Sequence, residues 1–468
     1  MTVRAITAEV GHSSATVCRE MQRIGIPAGS DNPTEEIMAE RISRLAAGLG
    51  AMVLMGAVAG CGGGRPVAAA DRTGELTVWL TVDAQESWPD LVNEVNDRFR
   101  RTYPKIKVTV QYQQWTTKNQ KIDAALAGRK VPDVIEMGNS ETTNYIVNGA
   151  FAAVDPAKFD HSAEWLPALR DACRNDGKTY CVPYYVGARV GIYRTDLLAQ
   201  VGVTRAPRSY TELRADLDKL KAKFGATDKN FSAFYMPGRY WYAAMAFVKD
   251  AGGEIAARGK DGRWHGALSS ARSVAGLTAW KDLLDSYYTG DRSKDNGDEP
   301  AVVGQGKVGM FYGNTWEAKA ATDSRSGGDP ALHGKFGTFA FPGPSGKMMP
   351  SFLGGSTLAV PAKSENQDLA QDWIRLFTDR TSQRRLIAAD TLPNNTAQLK
   401  EVAADSVNGP AAQAATRGWV TPLAPGWGAV EKSNVLQETL QDIATGKQSV
   451  PDAARAADRR IDAVINEN

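Results

Sequence analysis

The sequence predicts an α/β fold of two lobes that are joined by hinge strands and enclose a ligand cleft. Strand-like and helix-like segments alternate from Glu75 onward, which is the pattern of a parallel sheet with right-handed crossovers. The chain has 468 residues, too many for one small domain. A segment rich in Gly and Pro, Thr338 to Gly346 (TFAFPGPSG), is typical of a crossover between lobes.

The stretch from Leu45 to Cys61, LAAGLGAMVLMGAVAGC, predicts a secretory signal peptide. Arg41 and Arg44 precede an apolar core that ends in small residues, as signal peptides do. The core is shorter than the ~20 residues of a spanning helix. The sequence VAGC at 58–61 resembles the lipobox of bacterial lipoproteins, which implies that lipidated Cys61 anchors the protein to the outer face of the cell membrane. The alternative is a buried helix with an incidental Cys.

Residues 1–37 do not fit this signal, because a signal core begins near the start of a chain. Met38 lies shortly before the core, so we hypothesise that translation starts there and that 1–37 are a gene-model artefact. A true cytoplasmic extension is the alternative. Residues 38–60 are then the lipoprotein signal peptide. Residues 61–74 are small and polar, which predicts a flexible tether.

The composition excludes several classes of function. The net charge is +2 with both signs mixed, so no basic stripe predicts a nucleic-acid partner. The four His are scattered, and we expect neither a metal nor a cofactor.

Cys173 and Cys181 flank a turn that contains Gly, in CRNDGKTYC, which predicts a disulfide in an exported protein. We expect a monomer.

The first lobe is expected to comprise residues 75–185 and 306–342. Its first helix is indicated by Leu91, Val92, Val95 and Phe99, which recur at helical spacing. The expected strands are 75–80, 107–112 and 132–136, and the expected helices are 88–102, 117–127 and 141–148.

The second lobe is expected to comprise residues 186–305 and 343–468, and a return of the last helices to the first lobe is left open. A hinge strand at 186–193 is expected to pass from the first lobe into the second. The further expected strands are 306–315 and 356–362, and the expected helices are 209–224, 239–251, 271–288, 367–378 and most of 433–466.

Short stretches over nearly all of the chain after Glu75 carry a family resemblance. They are ELTVWL (75–80), PDVIEMGN (132–139), YCVPYY (180–185), IYRTDL (192–197), GKVGMF (306–311), FLGGSTLAVP (352–361) and LP (392–393). Their order resembles family 1 extracellular solute-binding proteins of carbohydrate ABC importers, similar to maltose-binding proteins, with an actinobacterial-type lipoprotein leader. The resemblance implies a type II periplasmic-binding-protein-like fold, delivery of a sugar to ABC permease subunits with a separate ATPase, and no catalysis.

Candidate ligand residues follow the expected strands, because open α/β sheets bind ligands beyond the carboxyl ends of their strands. A sugar offers flat C–H faces to aromatic rings, and hydroxyls to carboxylates, amides and guanidinium groups. Glycine allows a close approach. We predict as ligand-binding residues Asp83, Asn139, Glu141, Tyr184, Arg189, Tyr240, Trp241, Asn314, Trp316, Glu317, Gly355, Ser356, Asn394 and Trp427.

Several of these candidates also have purely structural explanations. Glu141 and Glu317 stand at helix starts, where the helix dipole favours an acid, and Arg189 fits a structural ion pair. Tyr240 and Trp241 fit the packed start of a helix. Trp316, in GNTWE between a strand and a helix, is the strongest candidate for stacking on a sugar.

We therefore expect a lipid-anchored binding component of an ABC transporter for a neutral oligosaccharide, such as a disaccharide. One alternative is an exported glycoside hydrolase, which needs two carboxylates, drawn from Glu136, Glu141 and Glu317. The other is a binding protein of the same fold for a charged solute, such as a polyamine or a phosphorylated polyol. No nucleophilic Ser motif, zinc motif or phosphate loop favours an enzyme.

Overall fold

The structure, a computed structural model, describes residues 68–467. The expected signal peptide, Cys61 and the start of the tether lie outside the described residues. Within 68–467, none of the helices combines the length and the apolar character that a membrane-spanning helix needs.

Fourteen strands run through the described residues, and most belong to one sheet. They are β1 Gly74–Thr81, β2 Ile106–Gln113, β3 Val134–Gly138, β4 Arg174–Asn175, β5 Lys178–Thr179, β6 Cys181–Arg194, β7 Ser232–Tyr235, β8 Ala256–Arg258, β9 Trp264–Gly266, β10 Val308–Asn314, β11 Phe336–Phe339, β12 Ser351–Ala359, β13 Leu392–Pro393 and β14 Gly418–Trp419. The main sheet has the order β2-β1-β3-β12-β6-β10-β7; β11 and β13 also pair with β6, and β14 pairs with β12.

Eighteen α-helices surround these strands in the same residues. They are α1 Val82–Glu86, α2 Pro89–Thr102, α3 Lys118–Ala127, α4 Thr142–Val147, α5 Pro167–Ala172, α6 Thr195–Gln200, α7 Tyr210–Thr227, α8 Trp241–Asp250, α9 Ala271–Tyr287, α10 Glu299–Gly304, α11 Thr315–Ala320, α12 Gln367–Thr378, α13 Arg380–Ala388, α14 Thr396–Val402, α15 Gly409–Ala415, α16 Trp427–Lys432, α17 Val435–Ala444 and α18 Val450–Val464.

The long strand β6 connects two differently built halves of the sheet. On one side β1 pairs in parallel with β2 and β3, as the alternating pattern predicts. The first part of β6 pairs with β12, and its second part pairs with β10. Because β10 and β7 are again parallel, β6 and β12 are the antiparallel strands between two parallel units.

Each half has its own hydrophobic core, and we call the halves the first and the second lobe. In the first lobe, Leu80 and Phe99 pack with Trp373 and Phe377 of α12. A smaller cluster on the other face of that sheet includes Ile135. Fully burying one such side chain contributes about 1.5–3 kcal/mol. The core of the second lobe includes Phe234, Met245, Trp280, Phe311 and Leu440.

The placement of two segments differs from the expectation for the lobes. Residues 306–342 were expected in the first lobe, but β10 and β11 pair with the second part of β6. Val308 and Phe311 consequently lie in the second core. Helix α12 packs in the first lobe instead, because its stripe of Trp373 and Phe377 covers that sheet. The last helices, α17 and α18, stay with the second core.

The end of the expected tether contacts the first lobe. Ala69–Asp71 form a short 3₁₀ helix, and Lys105 lies 3.0 Å from the Asp71 carboxylate. Arg72 pairs with Asp368 at the start of α12. These exposed ion pairs are weak, and they place the start of the folded body a few residues before β1.

The disulfide predicted between Cys173 and Cys181 is confirmed. It closes the small β4–β5 hairpin, and both cysteines are buried. Asp176 and Gly177 both have positive φ, 46° and 77°, as a tight hairpin turn of two residues requires. The Asp-Gly sequence therefore brings the two cysteines together.

Replacing both cysteines, C173S/C181S, is expected to lower the free energy of unfolding by about 2–3 kcal/mol, because a short loop constrains the unfolded chain only modestly. Urea denaturation of the oxidised protein and the double variant measures the difference. A reducing agent should destabilise the wild type and leave the double variant unchanged. Equal stability of the two oxidised proteins would contradict this role of the disulfide.

Candidate functional site

Two facing glycines lie on the sheet where the lobes join, and a Cβ atom placed on one of them, Gly187, would lie 3.0 Å from Asn314 Oδ1, so the Asn314 side chain covers it. Gly187 of β6 lies opposite Gly354 of β12. A Cβ atom placed on Gly354 would find its nearest neighbour at 3.9 Å, so open space lies above it. Tyr185 and Arg189 flank Gly187 on the same face, because side chains alternate along a strand. We call Gly187 and Gly354 the glycine floor.

Gly355, the glycine predicted to approach a ligand, has a different role. Its φ is +96°, a conformation that L side chains rarely adopt. A Cβ atom there would overlap the carbonyl oxygen of Tyr185. The missing side chain of Gly355 thus makes room for the neighbouring strand, and its neighbour Gly354 faces the open space.

The first-lobe wall beside the glycine floor is built on Asp83, which follows β1. The carboxylate Oδ2 of Asp83 accepts hydrogen bonds from Trp115 Nε1 at 3.0 Å and from the Tyr185 hydroxyl at 3.2 Å. The Trp115 side chain follows β2 and is 38% exposed. Sequence reasoning did not select Trp115, although its position after a strand is the signal that selected Asp83.

A second carboxyl, Glu136 of β3, lies buried beneath this wall. It accepts hydrogen bonds from the backbone N–H of Thr81 at 2.7 Å and from the Thr81 hydroxyl at 3.1 Å. Burial raises the pKa of Glu136 to about 7, and the charge of Asp83 contributes to the rise. Burial also raises the pKa of Asp83. Near neutral pH, Glu136 is therefore partly protonated.

Lys118 and Glu141 form a largely buried ion pair at the edge of the same wall. The Lys118 side chain is 1% exposed and pairs with Glu141 Oε2. Glu141 also accepts hydrogen bonds from the backbone of Gly138 and from Asn119, both at 3.0 Å. The Lys118 ammonium lies 4.9 Å from the ring centre of Trp115. Glu141 thus fixes the turn after β3 and orients the cation behind Trp115.

The second-lobe wall is organised around the buried guanidinium group of Arg189. Its Nε donates to the Tyr240 hydroxyl at 2.8 Å, and it lies 4.0 Å from the ring centre of Tyr242. Burial lowers the pKa of Arg189, but Tyr240, Tyr242 and Glu317 together raise it above its usual value. Its Nη1 has no partner among residues 68–467. Trp241 is buried, with its ring centre 4.0 Å from that of Tyr242.

The end of β10 brings three more predicted residues to this wall. Asn314 pairs with Arg189 in the sheet register, and its Nδ2 donates to Glu317 Oε1 at 2.9 Å. Glu317 is buried, whereas the neighbouring Trp316 side chain is 57% exposed. Of these three residues, Trp316 is the one with a free aromatic face.

The remaining predicted residues are engaged inside the protein. Tyr184 accepts a hydrogen bond from Trp88 Nε1 at 2.6 Å in the first core. Amide groups of Asn139 and Asn394 bond to backbone carbonyls of β12 and β6. Ser356 is fully buried beside Tyr185, and Trp427 lies in the second core. Because these side chains offer little surface, our proposed site omits Tyr184, Asn139, Asn394, Ser356 and Trp427.

Helix α16 of the second lobe reaches the turn after β3 of the first lobe. Glu431 of α16 is partly buried. Burial raises the pKa of Glu431 to about 8, and the Glu141 carboxylate adds to this effect, while Ser140 and Lys118 oppose it. The Thr421 hydroxyl, just before α16, donates to the Ser140 carbonyl at 3.5 Å. The second lobe therefore contacts the first lobe at the turn after β3.

Within the part of the chain that the structure describes, no group of three or more His, Cys, Asp or Glu residues is arranged to hold a metal ion. The three carboxylates considered for hydrolysis are also engaged: Glu136 with Thr81, Glu141 with Lys118, and Glu317 with Asn314.

Comparison with known proteins gives consistent matches. The profile of the bacterial extracellular solute-binding protein family matches residues 94–415. The chain is 31% identical over 425 residues to the diacetylchitobiose binding protein DasA of Streptomyces coelicolor, covering 88% of this chain and 96% of that protein. It is 25% identical over 250 residues to the mannitol-binding protein of Pseudomonas aeruginosa, covering 51% of this chain and 54% of that protein.

Solved structures establish the fold. The GacH receptor of Streptomyces glaucescens, solved unliganded and with acarbose, matches with a TM-score of 0.69 and 22% identity, covering 85% of this chain and all of that one. The sugar-binding protein MalE of Xanthomonas citri matches with a TM-score of 0.70 and 22% identity, covering 84% and 97%. The predicted two-lobed, type II periplasmic-binding-protein-like fold is thereby confirmed.

Two adjacent glycines are expected to respond differently to a methyl group. Gly355→Ala should lower the free energy of unfolding by about 1–3 kcal/mol, because it forces a positive φ on a residue with a Cβ atom. Gly354→Ala should leave the stability nearly unchanged, since the added methyl group enters open space. Urea denaturation of the two variants tests this; equal losses would contradict an open floor.

Proposed function

This chain belongs to the family of bacterial extracellular solute-binding proteins, and we propose from this premise that it captures a neutral oligosaccharide for a carbohydrate ABC importer. The observation that carries the proposal is the pair of exposed indoles, Trp115 and Trp316, which follow strands β2 and β10 of the two lobes. Indole rings suit the flat C–H faces of pyranose rings.

The proposed ligand class is a β-linked disaccharide of N-acetylated amino sugars. DasA, named as a diacetylchitobiose binding protein, shares 31% identity with nearly the whole folded chain. Acetamido groups offer one donor and one acceptor each, and the walls present matching groups of both kinds. The Asp83 carboxylate accepts hydrogen bonds, and the guanidinium group of Arg189 is a donor whose Nη1 is buried and has no partner among residues 68–467.

The charges of the cleft favour a neutral ligand. Lys118 and Glu141 neutralise each other, and Arg189 lies in the field of Glu317. The raised pKa values of Glu136 and Glu431, about 7 and about 8, reduce the negative charge near neutral pH. A polyamine would need an uncompensated acidic cleft, and a phosphorylated polyol would need an uncompensated basic one.

A glycoside hydrolase is the less favoured candidate. It needs one free carboxyl group on each side of the scissile bond, whereas Glu141 and Glu317 are held by Lys118 and Asn314. The relatives reported above are binding proteins. These observations support binding without chemical conversion as the function of this chain.

Binding is proposed to act through closure of the two lobes. β6 and β12 are the hinge, since they connect the lobes, and a sugar that contacts both walls favours the closed form. The closed form delivers the sugar to ABC permease subunits whose transport a separate ATPase drives. In this proposal the protein is a monomer, held at the outer face of the membrane by lipidated Cys61.

Titration calorimetry with diacetylchitobiose, cellobiose, maltose and spermidine tests this function. We expect diacetylchitobiose to bind most tightly and to be recovered intact afterwards. Binding of spermidine alone, or cleavage of a disaccharide, would contradict the proposal. X-ray scattering should show a smaller radius of gyration with saturating diacetylchitobiose.

The variants Trp115→Ala and Trp316→Ala should each weaken binding of diacetylchitobiose by about 1–3 kcal/mol, the range known for aromatic side chains that stack on nucleobases. Val407→Ala is a matched control, because Val407 is also an exposed apolar residue and lies outside the cleft walls. Calorimetry on the three variants measures the effects. Wild-type affinity in both Trp variants would exclude the two indoles from the site.

A further inference from the structure

Two buried carboxyl groups, Glu299 and Glu317, lie side by side behind the second-lobe wall. Their side chains belong to residues that are 2% and 4% exposed. A Cβ atom placed on Gly313 would overlap Glu317 Oε2 and lie 3.5 Å from Glu299 Oε1. Both carboxyl groups therefore occupy the space above Gly313, and sequence reasoning selected Glu317 but not Glu299.

The hydrogen bonds of this pair are incomplete if both groups are ionised. Asn314 donates to Glu317 Oε1, but Glu317 Oε2 and both oxygens of Glu299 have no partner among residues 68–467. A buried polar atom without a partner is costly, and two adjacent buried carboxylates repel each other. One proton between them turns one carboxyl into a donor to the other, which gives a partner to two of these three oxygens and removes the repulsion between two charges.

The surrounding groups do not remove the need for this proton. The charges that act on Glu299 are those of Glu317, Arg189 of β6 and Asp298. Tyr235 of β7 and Tyr240, which directly precedes α8, also face the pair. Arg189 is the only cation in this group, so two ionised carboxylates would exceed its charge.

We propose that Glu299 and Glu317 share one proton, and that this shared proton positions Arg189 for the ligand. Glu299 is thus a positioning residue, which acts on the ligand through Arg189. The part of this proposal that concerns the ligand rests on the function proposed above, whereas the shared proton itself does not.

The proton sets the charge that Arg189 meets. With the proton in place the pair carries one negative charge, and the guanidinium group keeps its stacked position on Tyr242 with Nη1 free. Loss of the proton adds a second negative charge, which draws Arg189 away from Tyr242 and towards the pair. Burial, followed by the charge of Glu317, raises the pKa of Glu299 well above its usual value, in agreement with this arrangement.

The variant Glu299→Gln tests the shared proton without a ligand. A Gln amide keeps the shape of the protonated acid and donates to Glu317 at every pH. The pKa of Glu299 in the folded protein lies above its usual value of 4.5. Between these two pKa values the folded state keeps a proton that the unfolded state releases, so the free energy of unfolding falls as the pH rises. Over this range the folding constant of the wild type should fall relative to that of E299Q, by up to tenfold per pH unit.

Urea denaturation of both proteins between pH 5 and 9 measures this ratio. Glu317→Gln should behave in the same way and replaces E299Q if that variant does not fold. Glu365→Gln changes an exposed residue, and its free energy of unfolding should depend on pH in the same way as that of the wild type. Parallel curves for the wild type and for the Gln variants of the pair would overturn the shared proton.

Calorimetry with diacetylchitobiose over the same pH range tests the positioning of Arg189. The wild-type affinity should fall with rising pH by up to tenfold per pH unit, and the affinity of E299Q should fall less. Identical pH profiles for the two proteins would overturn the positioning role. If no disaccharide binds to either protein, the proposed function fails, while the denaturation experiment still decides on the shared proton.

Discussion

The antiparallel pairing of β6 with β12 is the constraint on which the rest of the structure depends. These two strands join the parallel unit of β1, β2 and β3 to that of β7 and β10. The same pairing places Gly187 opposite Gly354 and directs Tyr185 and Arg189 to the two walls. One piece of backbone thus serves as connection, as hinge and as cleft floor.

Buried polar groups in the walls are held in pairs, and this pairing explains the composition of the cleft. Asp83 is held by Trp115 and Tyr185, and Glu141 by Lys118. A cleft wall that is fixed before the ligand arrives loses less entropy on binding. Polar groups fixed in this way suit hydroxyl and amide recognition, and they leave exposed aromatic faces for the apolar side of a sugar.

Much of the fold was predictable because local patterns and tertiary structure agree. The alternation of strands and helices, the helix at 367–378 and the Cys173–Cys181 bridge follow from periodicity and turn chemistry. The lobe to which 306–342 belongs was not predictable, because β10 and β11 find their partners far away along the chain, on β6. Strand pairing of this kind leaves no trace in local sequence.

The sequence indicated which strand ends carry candidate site residues. It did not indicate which of two adjacent residues faces the core and which faces the cleft. Tyr184 and Tyr185 are adjacent, yet one bonds to Trp88 in the core and the other to Asp83 in the cleft. Gly354 likewise faces open space, whereas its neighbour Gly355 packs against the Tyr185 backbone. A shift of one residue along a strand reverses the face, and sequence periodicity in an apolar run does not show which face is which.

A crystal structure with bound diacetylchitobiose tests the central claim most directly. We predict that the disaccharide lies over Gly354, with one sugar face on Trp115 and another on Trp316. The second lobe also carries an open depression of about 490 Å³ lined by Tyr210, Thr338 and Gln413. A disaccharide found in that depression, with the glycine floor unoccupied, would contradict the account.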